Sequence, residues 1–354
     1  MHTVEITGTG RPSTILVGEK MENLARYLPA GRTIVITDAT VRQFYQDRFP
    51  TAPVLSIGCG EAVKTLETTR DLYEALLSIE ADRSTFILGI GGGIVCDVTG
   101  FVASTFMRGL RFGFVATTLL AQVDASVGGK NGVNLEGYKN LIGTFNQPEF
   151  VLCDMQLLQT LPEAEVINGM AEIVKHALIA DAGLFAFLEE QGQSALSLDP
   201  AIIERLVRDS VVIKSQIVGR DERESGERRK LNFGHTFGHA LEKVCGLSHG
   251  EAVSVGMALA AAVSVQRGRL ATPAYDRIIR LLTFLRLPCT TRADLGRVLD
   301  AVLKDKKRDA ERIHFVMLED IGRAVVAEIP LTELRETATA FGQILQPKEG
   351  RRSP

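Results

Sequence analysis

Between residues 33 and 154 the sequence alternates short β-branched runs with helix-patterned segments, and this restricts the fold more than any other feature. "TIVITD" (33–38), "APVLSIG" (52–58), "TFILGI" (85–90), "RFGFVATT" (111–118) and "FVLCD" (150–154) read as strands. Segments 62–79 and 94–107 between them carry helical spacing. Such alternation implies a largely parallel sheet with helices on its faces. Ligands of such sheets bind beyond the carboxyl ends of the strands. After about residue 155 the strand signals nearly stop. Helical spacing then covers 162–179, 184–190, 200–219, 234–244, 250–268, 273–286 and 292–303, with a late hairpin from "RIHFVML" to "RAVVAEI". The expected organisation is an α/β domain over 1–155 and a mostly helical domain over 156–354, with the active site in the cleft between them.

A chain of 354 residues is long enough for two such cores. Its formal charge of -3 provides no basic field, which argues against nucleic acid as a partner. No segment has the continuous apolar length of a membrane span, and the start lacks a signal pattern. The five cysteines are scattered without a CxxC pair, which suits buried small residues in a reducing cytoplasm better than a disulfide framework.

Four stretches carry chemistry. "LGIGGGIVCDVTGF" (88–101) runs a strand through glycines into a helix, so backbone can approach a pyrophosphate at the helix N-terminus. Ile94 stands where the strict GxGxxG pattern needs its third glycine, so an ordinary Rossmann dehydrogenase is not the best fit. Asp38, ending its strand, is either a partner for a ribose hydroxyl or a cap. "TTLLAQVDASVGGKNGVNLEGYKN" (117–140) sets Asp124, Lys130, Lys139 and Asn140 among glycines and reads as an anion-binding loop. On "GMAEIVKHALI" (169–179), Glu172, Lys175 and His176 fall on one side of an otherwise apolar helix, where charge requires pairing or coordination. "LNFGHTFGHALEKVCGLSHGE" (231–251) holds His235, His239 and His249, three of the six histidines, behind a charge run in which one arginine is expected to point inward. The i, i+4 pair His235/His239 is one candidate chelate, but Thr236 replaces the glutamate of HExxH. The other is one member of that pair with His249 and a distant carboxylate, and spacing alone leaves both open.

Taken together, in order and spacing, these motifs resemble 3-dehydroquinate synthase of the sugar phosphate cyclases. The resemblance implies a Rossmann-like N-terminal domain, a helical C-terminal domain, a sugar phosphate substrate, and NAD with Zn2+ or Co2+ as cofactors. It implies a cytoplasmic homodimer that converts 3-deoxy-D-arabino-heptulosonate 7-phosphate to 3-dehydroquinate and phosphate. Glu172, His235 and His249 match the metal ligands. Asp124, Lys130, Asn140, Lys175, Lys214, Glu224, Arg228, Asn232, His239, Arg108 and one of Lys306 or Lys307 match substrate positions. Within that set the resemblance implies that Lys175 and Arg228 face the carboxylate, that Lys130, Asn140 and His239 face the phosphate, and that Arg108 reaches over from a second subunit. The dinucleotide positions are Asp38, Cys59, Gly60, Glu61, Lys64, Gly92, Gly93, Asp97, Thr117, Thr118, Lys130, Lys139 and Thr160. Two departures concern the cofactor side: "GGEQYK" reads "CGEAVK" (59–64), and "PLGKN" reads "EGYKN" with Tyr138 in place of a glycine. A sister cyclase acting on sedoheptulose 7-phosphate, or a metal-dependent alcohol dehydrogenase, is the alternative.

Overall fold

The computed structural model describes residues 1–7, 12–292, 295–306, 312–334 and 336. The chain divides into two compact units, Met1–Gly169 with Leu198–Arg223, and Met170–Ser197 with Glu224–Pro354.

The first unit is built on seven strands: β1 (His2–Ile6), β2 (Ser13–Val17), β3 (Thr33–Asp38), β4 (Val54–Ile57), β5 (Phe86–Gly91), β6 (Arg111–Ala116) and β9 (Phe150–Cys153). Their order is β1-β2-β9-β6-β5-β3-β4, parallel throughout except for the edge pair β1/β2. β5 is buried at every residue, which explains its unbroken apolar run: both faces are covered. Val35, Leu88, Ile90, Val115 and Leu152 fill the sheet's core, and Phe86 stacks on Phe150 with ring centroids 5.9 Å apart. Registers Thr37↔Ile90 and Gly91↔Ala116 bring the carboxyl ends of β3, β5 and β6 to one edge. There α1 (Ala39–Tyr45) starts after β3, and α3 (Gly93–Thr105) starts two residues beyond β5. α2 (Leu66–Ser78) is capped by the Thr65 side chain.

Two parts of this unit differ from the sequence reading. β1 and β2 are five-residue strands, too short and too interrupted by polar residues for period-2 alternation to stand out. The stretch read as a loop over 117–140 instead holds a π-turn, Ala121–Ala125, and the start of a hairpin. Its strands are β7 (Lys130–Leu135) and β8 (Tyr138–Phe145). Glu136 and Gly137, both at positive φ (50° and 77°), form the two-residue turn that such a hairpin needs. The glycines that suggest a loop are there for close approach: a Cβ on Gly132 would meet the Ile142 carbonyl at 2.7 Å. α3 approaches β7 over Gly100, whose added Cβ would lie 1.9 Å from Asn131 Oδ1. The unit is completed by α6 (Pro200–Arg220), packed against β1, β2 and the π-turn.

The second unit is helical: α4 (Glu163–Ala180, from Met170), α5 (Ala182–Leu196), α7 (His235–Cys245), α8 (His249–Gln266), α9 (Thr272–Phe284) and α10 (Leu295–Lys306). The expected late hairpin is present as β10 (Arg312–Asp320) and β11 (Arg323–Pro330). The cysteines are free, with Cys96 and Cys153 buried but Cys59 and Cys245 exposed, against the expectation of burial. Among the described residues no helix is long and apolar enough to cross a membrane.

α7 and α8 meet through small residues. Gly234, the N-cap of α7, has φ +80°. A Cβ on Gly256 of α8 would lie 1.9 Å from the Gly234 carbonyl oxygen, and one on Gly238 3.3 Å from the Ala252 carbonyl. Backbone faces backbone at that crossing, so no side chain can yield. Gly256→Ala should therefore part α7 from α8 and cost about 1–3 kcal/mol or more. A thermal melt checks this, and an unchanged midpoint would show that the crossing is looser than described.

Candidate functional site

In the second unit, α4 brings a carboxylate into an apolar environment. Met170, Ile173, Val174, Ala177 and Leu178 are all fully buried, and so are Glu172, Lys175 and His176 among them. An unpaired charge there would cost several kcal/mol. Lys175 Nζ pairs with Glu172 Oε2 one turn away. Glu172 Oε1 faces two imidazoles, His249 Nε2 at 3.1 Å and His235 Nε2 at 3.6 Å.

Each histidine is fixed from behind. His235 Nδ1 lies 3.2 Å from the Phe233 carbonyl, which accepts its proton and turns Nε2 toward Glu172. His249 Nδ1 donates to Glu242 Oε1 at 2.7 Å. His249 is the first residue of α8, and the preceding turn is fixed by a capping box: the Ser248 backbone N–H and hydroxyl both donate to Glu251 Oε2, at 3.0 and 2.8 Å. Gly246, at φ +67°, ends α7 and reverses the chain into that box.

The ligand atoms of Glu172, His235 and His249 lie within 4.8 Å of one another. His239 is exposed and stands edge-on to His235, with ring centroids 5.2 Å apart. The donor set fits a divalent cation: two imidazole nitrogens and a carboxylate converge, with both Nδ1 atoms held by acceptors. The electrostatics agree. Burial, followed by the Lys175 charge, holds the His235 imidazole well below its usual value, so it offers a lone pair at neutral pH. Burial raises the Glu172 carboxyl, but Lys175 and the two histidines outweigh it and hold the group well below the carboxylate range. Burial pulls His249 down, yet its hydrogen bonds to Glu172 and Glu242 push it up to about 9.

The same unit holds Glu224, at φ 61°, whose Oε1 accepts from Asn232 Nδ2. Of the arginines between 220 and 229, Arg228 is the buried one, at 2% exposure, so the charge run does turn one guanidinium inward. The backbone of Lys306 ends α10; its side chain, and all of Lys307, lie outside the described residues.

In the first unit the matched positions fall in several places. At the β5–α3 junction, Gly92 faces Thr118, 3.0 Å from where a Cβ would sit; Gly93 faces Ala125 at 2.9 Å, and Thr117 is buried alongside. Asp38 caps α1 by accepting from the Val41 N–H at 2.8 Å, and Thr40 Oγ1 lies 3.3 Å from Cys59 Sγ. Asp38 thus takes the cap role in this structure. Lys64 is buried and bonds both Asp97 Oδ2 and Asn140 Oδ1; burial raises the Asp97 carboxyl, and the Lys64 charge opposes that. Lys214 donates to Asp124 Oδ1 at 2.7 Å on the π-turn, a geometry frequent at functional sites. Gly60 (φ +83°) leads into Glu61, which accepts from Asn134 Nδ2 at 2.8 Å. Lys130 and Lys139 are exposed on the hairpin, Thr160 lies 2.6 Å from Tyr45 OH, and Arg108 is exposed at φ 68° on the turn after α3.

Glu242, which holds His249, and Asn134, which holds Glu61, are contacts of the site that the sequence reading does not single out. Glu242 falls seven residues after His235, on the same helical face, and that spacing is the readable signal. Asn134 has none beyond its place in the glycine-rich stretch.

The family model of the 3-dehydroquinate synthase N-terminal domain matches residues 54–168, and that of its C-terminal domain matches 169–308. The 3-dehydroquinate synthase of Nitrosomonas europaea is 40% identical over 334 residues, 91% of this chain and 90% of that one. A 2-deoxy-scyllo-inosose synthase, solved with carbaglucose-6-phosphate, NAD+ and Co2+, superposes with TM-score 0.86 at 28% identity, covering 95% of this chain and 99% of that one. The 2-epi-5-epi-valiolone synthase of Streptomyces hygroscopicus subsp. jinggangensis, solved with NAD+ and Zn2+, gives 0.86 at 26%, covering 97% and 100%.

A cation entering the Glu172–His235–His249 set must displace the proton on His249 Nε2. Since that proton is held up to a pH of about 9, zinc affinity should rise as pH increases toward that value. Between pH 6.5 and 7.5 the gain should be roughly tenfold, one proton per cation. Competition titrations against a chelating dye at the two pH values measure it. A pH-independent affinity would remove His249 from the ligand set.

Proposed function

The chain belongs to the 3-dehydroquinate synthase family, and from that premise we propose how its residues divide the work of the family's reaction. It is a phosphate-eliminating carbon–oxygen lyase of the shikimate pathway, converting 3-deoxy-D-arabino-heptulosonate 7-phosphate to 3-dehydroquinate and phosphate. The observation that carries the reading is the convergence of Glu172, His235 and His249, each held by its own supporting contacts. Bound NAD+ would supply a transient hydride acceptor, and a divalent cation held by Glu172, His235 and His249 would supply Lewis acidity toward the substrate hydroxyls.

The metal and part of the substrate contacts are assigned to the helical unit. Glu172, His235 and His249 hold the cation. Lys175, paired with Glu172, and the planar fork of Arg228 are assigned to the substrate carboxylate. Glu224 and Asn232, already hydrogen-bonded to each other, serve hydroxyl groups. His239, exposed beside His235, faces the phosphate and the proton leaving C6. Lys306 or Lys307 completes this set.

Dinucleotide binding is assigned to the sheet unit. Gly92, Gly93, Asp97, Thr117 and Thr118 border the β5–α3 turn, where backbone N–H groups face an anion. Asp38, the 59–64 loop, Lys139 and Thr160 are assigned to the same dinucleotide. Lys130 and Asn140 on the hairpin take the phosphate, and Lys214 with Asp124 holds the sugar chain. Arg108 acts across a homodimer, which its exposed turn beside Met107 permits. Five free thiols suit a cytoplasmic enzyme.

Supplying the heptulosonate phosphate, NAD+ and zinc should release one phosphate per dehydroquinate with no NADH accumulating at 340 nm (a general property of the reduced cofactor). Net NADH would point instead to an alcohol dehydrogenase. Turnover of sedoheptulose 7-phosphate with none of the heptulosonate would move the chain to a sister cyclase.

A further inference from the structure

The hairpin residue Asn140 is held on one side by Asn134 of the same hairpin and on the other by Lys64 of the cofactor loop. Its backbone stands at φ 53°, a left-handed conformation that asparagine tolerates but that needs support. Its N–H donates to Asn134 Oδ1 at 2.8 Å, and its side-chain Oδ1 accepts from Lys64 Nζ. Asn134 faces the other way as well. Its Nδ2 donates to Glu61 Oε1 at 2.8 Å, and its backbone N–H donates to the Lys64 carbonyl at 2.8 Å. A parallel bridge between Thr65 and Asn134 continues the contact. One amide side chain therefore uses its acceptor on the hairpin and its donor on the cofactor loop.

We propose that Asn134 is a positioning residue that couples the 59–64 loop to Asn140, so that dinucleotide binding at the loop tightens phosphate binding at the hairpin. The inference rests on the reading of the loop as cofactor-binding and of Asn140 as phosphate-binding. Fixing Glu61 and Lys64 fixes both the acceptor that orients the Asn134 amide and the cation that grips the Asn140 side chain. Asn140 then holds its left-handed backbone without further ordering when the anion arrives. Coupling of this kind is reciprocal, so phosphate tightens NAD+ by the same factor.

The test measures inorganic phosphate binding to the zinc-loaded protein by calorimetry, with and without saturating NAD+. Wild-type protein should bind phosphate roughly five- to tenfold more tightly with NAD+ present, within the usual range of such couplings. In Asn134→Ala the factor should fall to about one. Asn134→Asp sets a carboxylate against Glu61 and should lose the coupling too. Asn134→Asp with Glu61→Gln restores a donor facing an acceptor, with the roles exchanged, and at NAD+ concentrations that saturate the double variant it should regain the coupling. A general folding defect would not be repaired by that exchange. Coupling that persists in Asn134→Ala, or a double variant no better than Asn134→Asp, overturns the proposal. Wild-type protein that binds phosphate equally with and without NAD+ overturns it as well. Wild-type protein that binds neither ligand overturns the site reading itself.

Discussion

The buried carboxylate of Glu172 governs the helical unit. A fully buried anion is tolerated only with compensation, and it receives Lys175 on one oxygen and two imidazoles on the other. Each of those partners needs a fixed position, so α4, α7 and α8 must sit in one arrangement for the charge to be satisfied. Their contacts are accordingly unforgiving: backbone against backbone at Gly234 and Gly256, and a capping box that fixes where α8 begins. Burial also makes the cluster useful. Burial and the Lys175 charge keep His235 neutral, while hydrogen bonds to Glu172 and Glu242 hold a proton on His249 against burial.

In the sheet unit, the registers of β3, β5 and β6 set Asp38, Gly91 and Ala116 near one edge, and the glycine turn places a helix N-terminus there. The hairpin β7–β8 supplies Lys130, Lys139 and Asn140, held at a bulge after Val133 and by side chains from the 61–64 segment. Two residues matched in this unit, Arg108 and Asn140, lie in the left-handed region without being glycine, as does Glu224 in the helical unit. Such conformations persist only where neighbours enforce them, and the Asn134 and Lys64 contacts of Asn140 show that enforcement directly.

Strong periodicity made much of this legible from sequence. β3 was readable to the residue because it is an unbroken β-branched run, and α4 because its apolar spacing is regular. The hairpin was hidden because its glycines, which permit Gly132 and Gly143 to face each other, carry the same composition as a loop. The histidines show a different limit. Spacing marks His235 and His239 as neighbours on one helix, but it cannot say where their nitrogens point. That depends on the Phe233 carbonyl behind His235 and on a carboxylate that arrives from α4, more than sixty residues upstream. Glu242 was overlooked for a related reason, since a support two contacts from the cation has no motif of its own.

Metal content separates the two chelates most directly. After dialysis against dilute zinc, His235→Ala and His249→Ala should retain almost none, whereas His239→Ala should retain one equivalent per chain. Affinities lower by a factor of a hundred or more are expected for a lost ligand, against little change for a bystander. Loss of zinc from His239→Ala as complete as from His235→Ala would contradict the account, because it would return the helical pair to the metal.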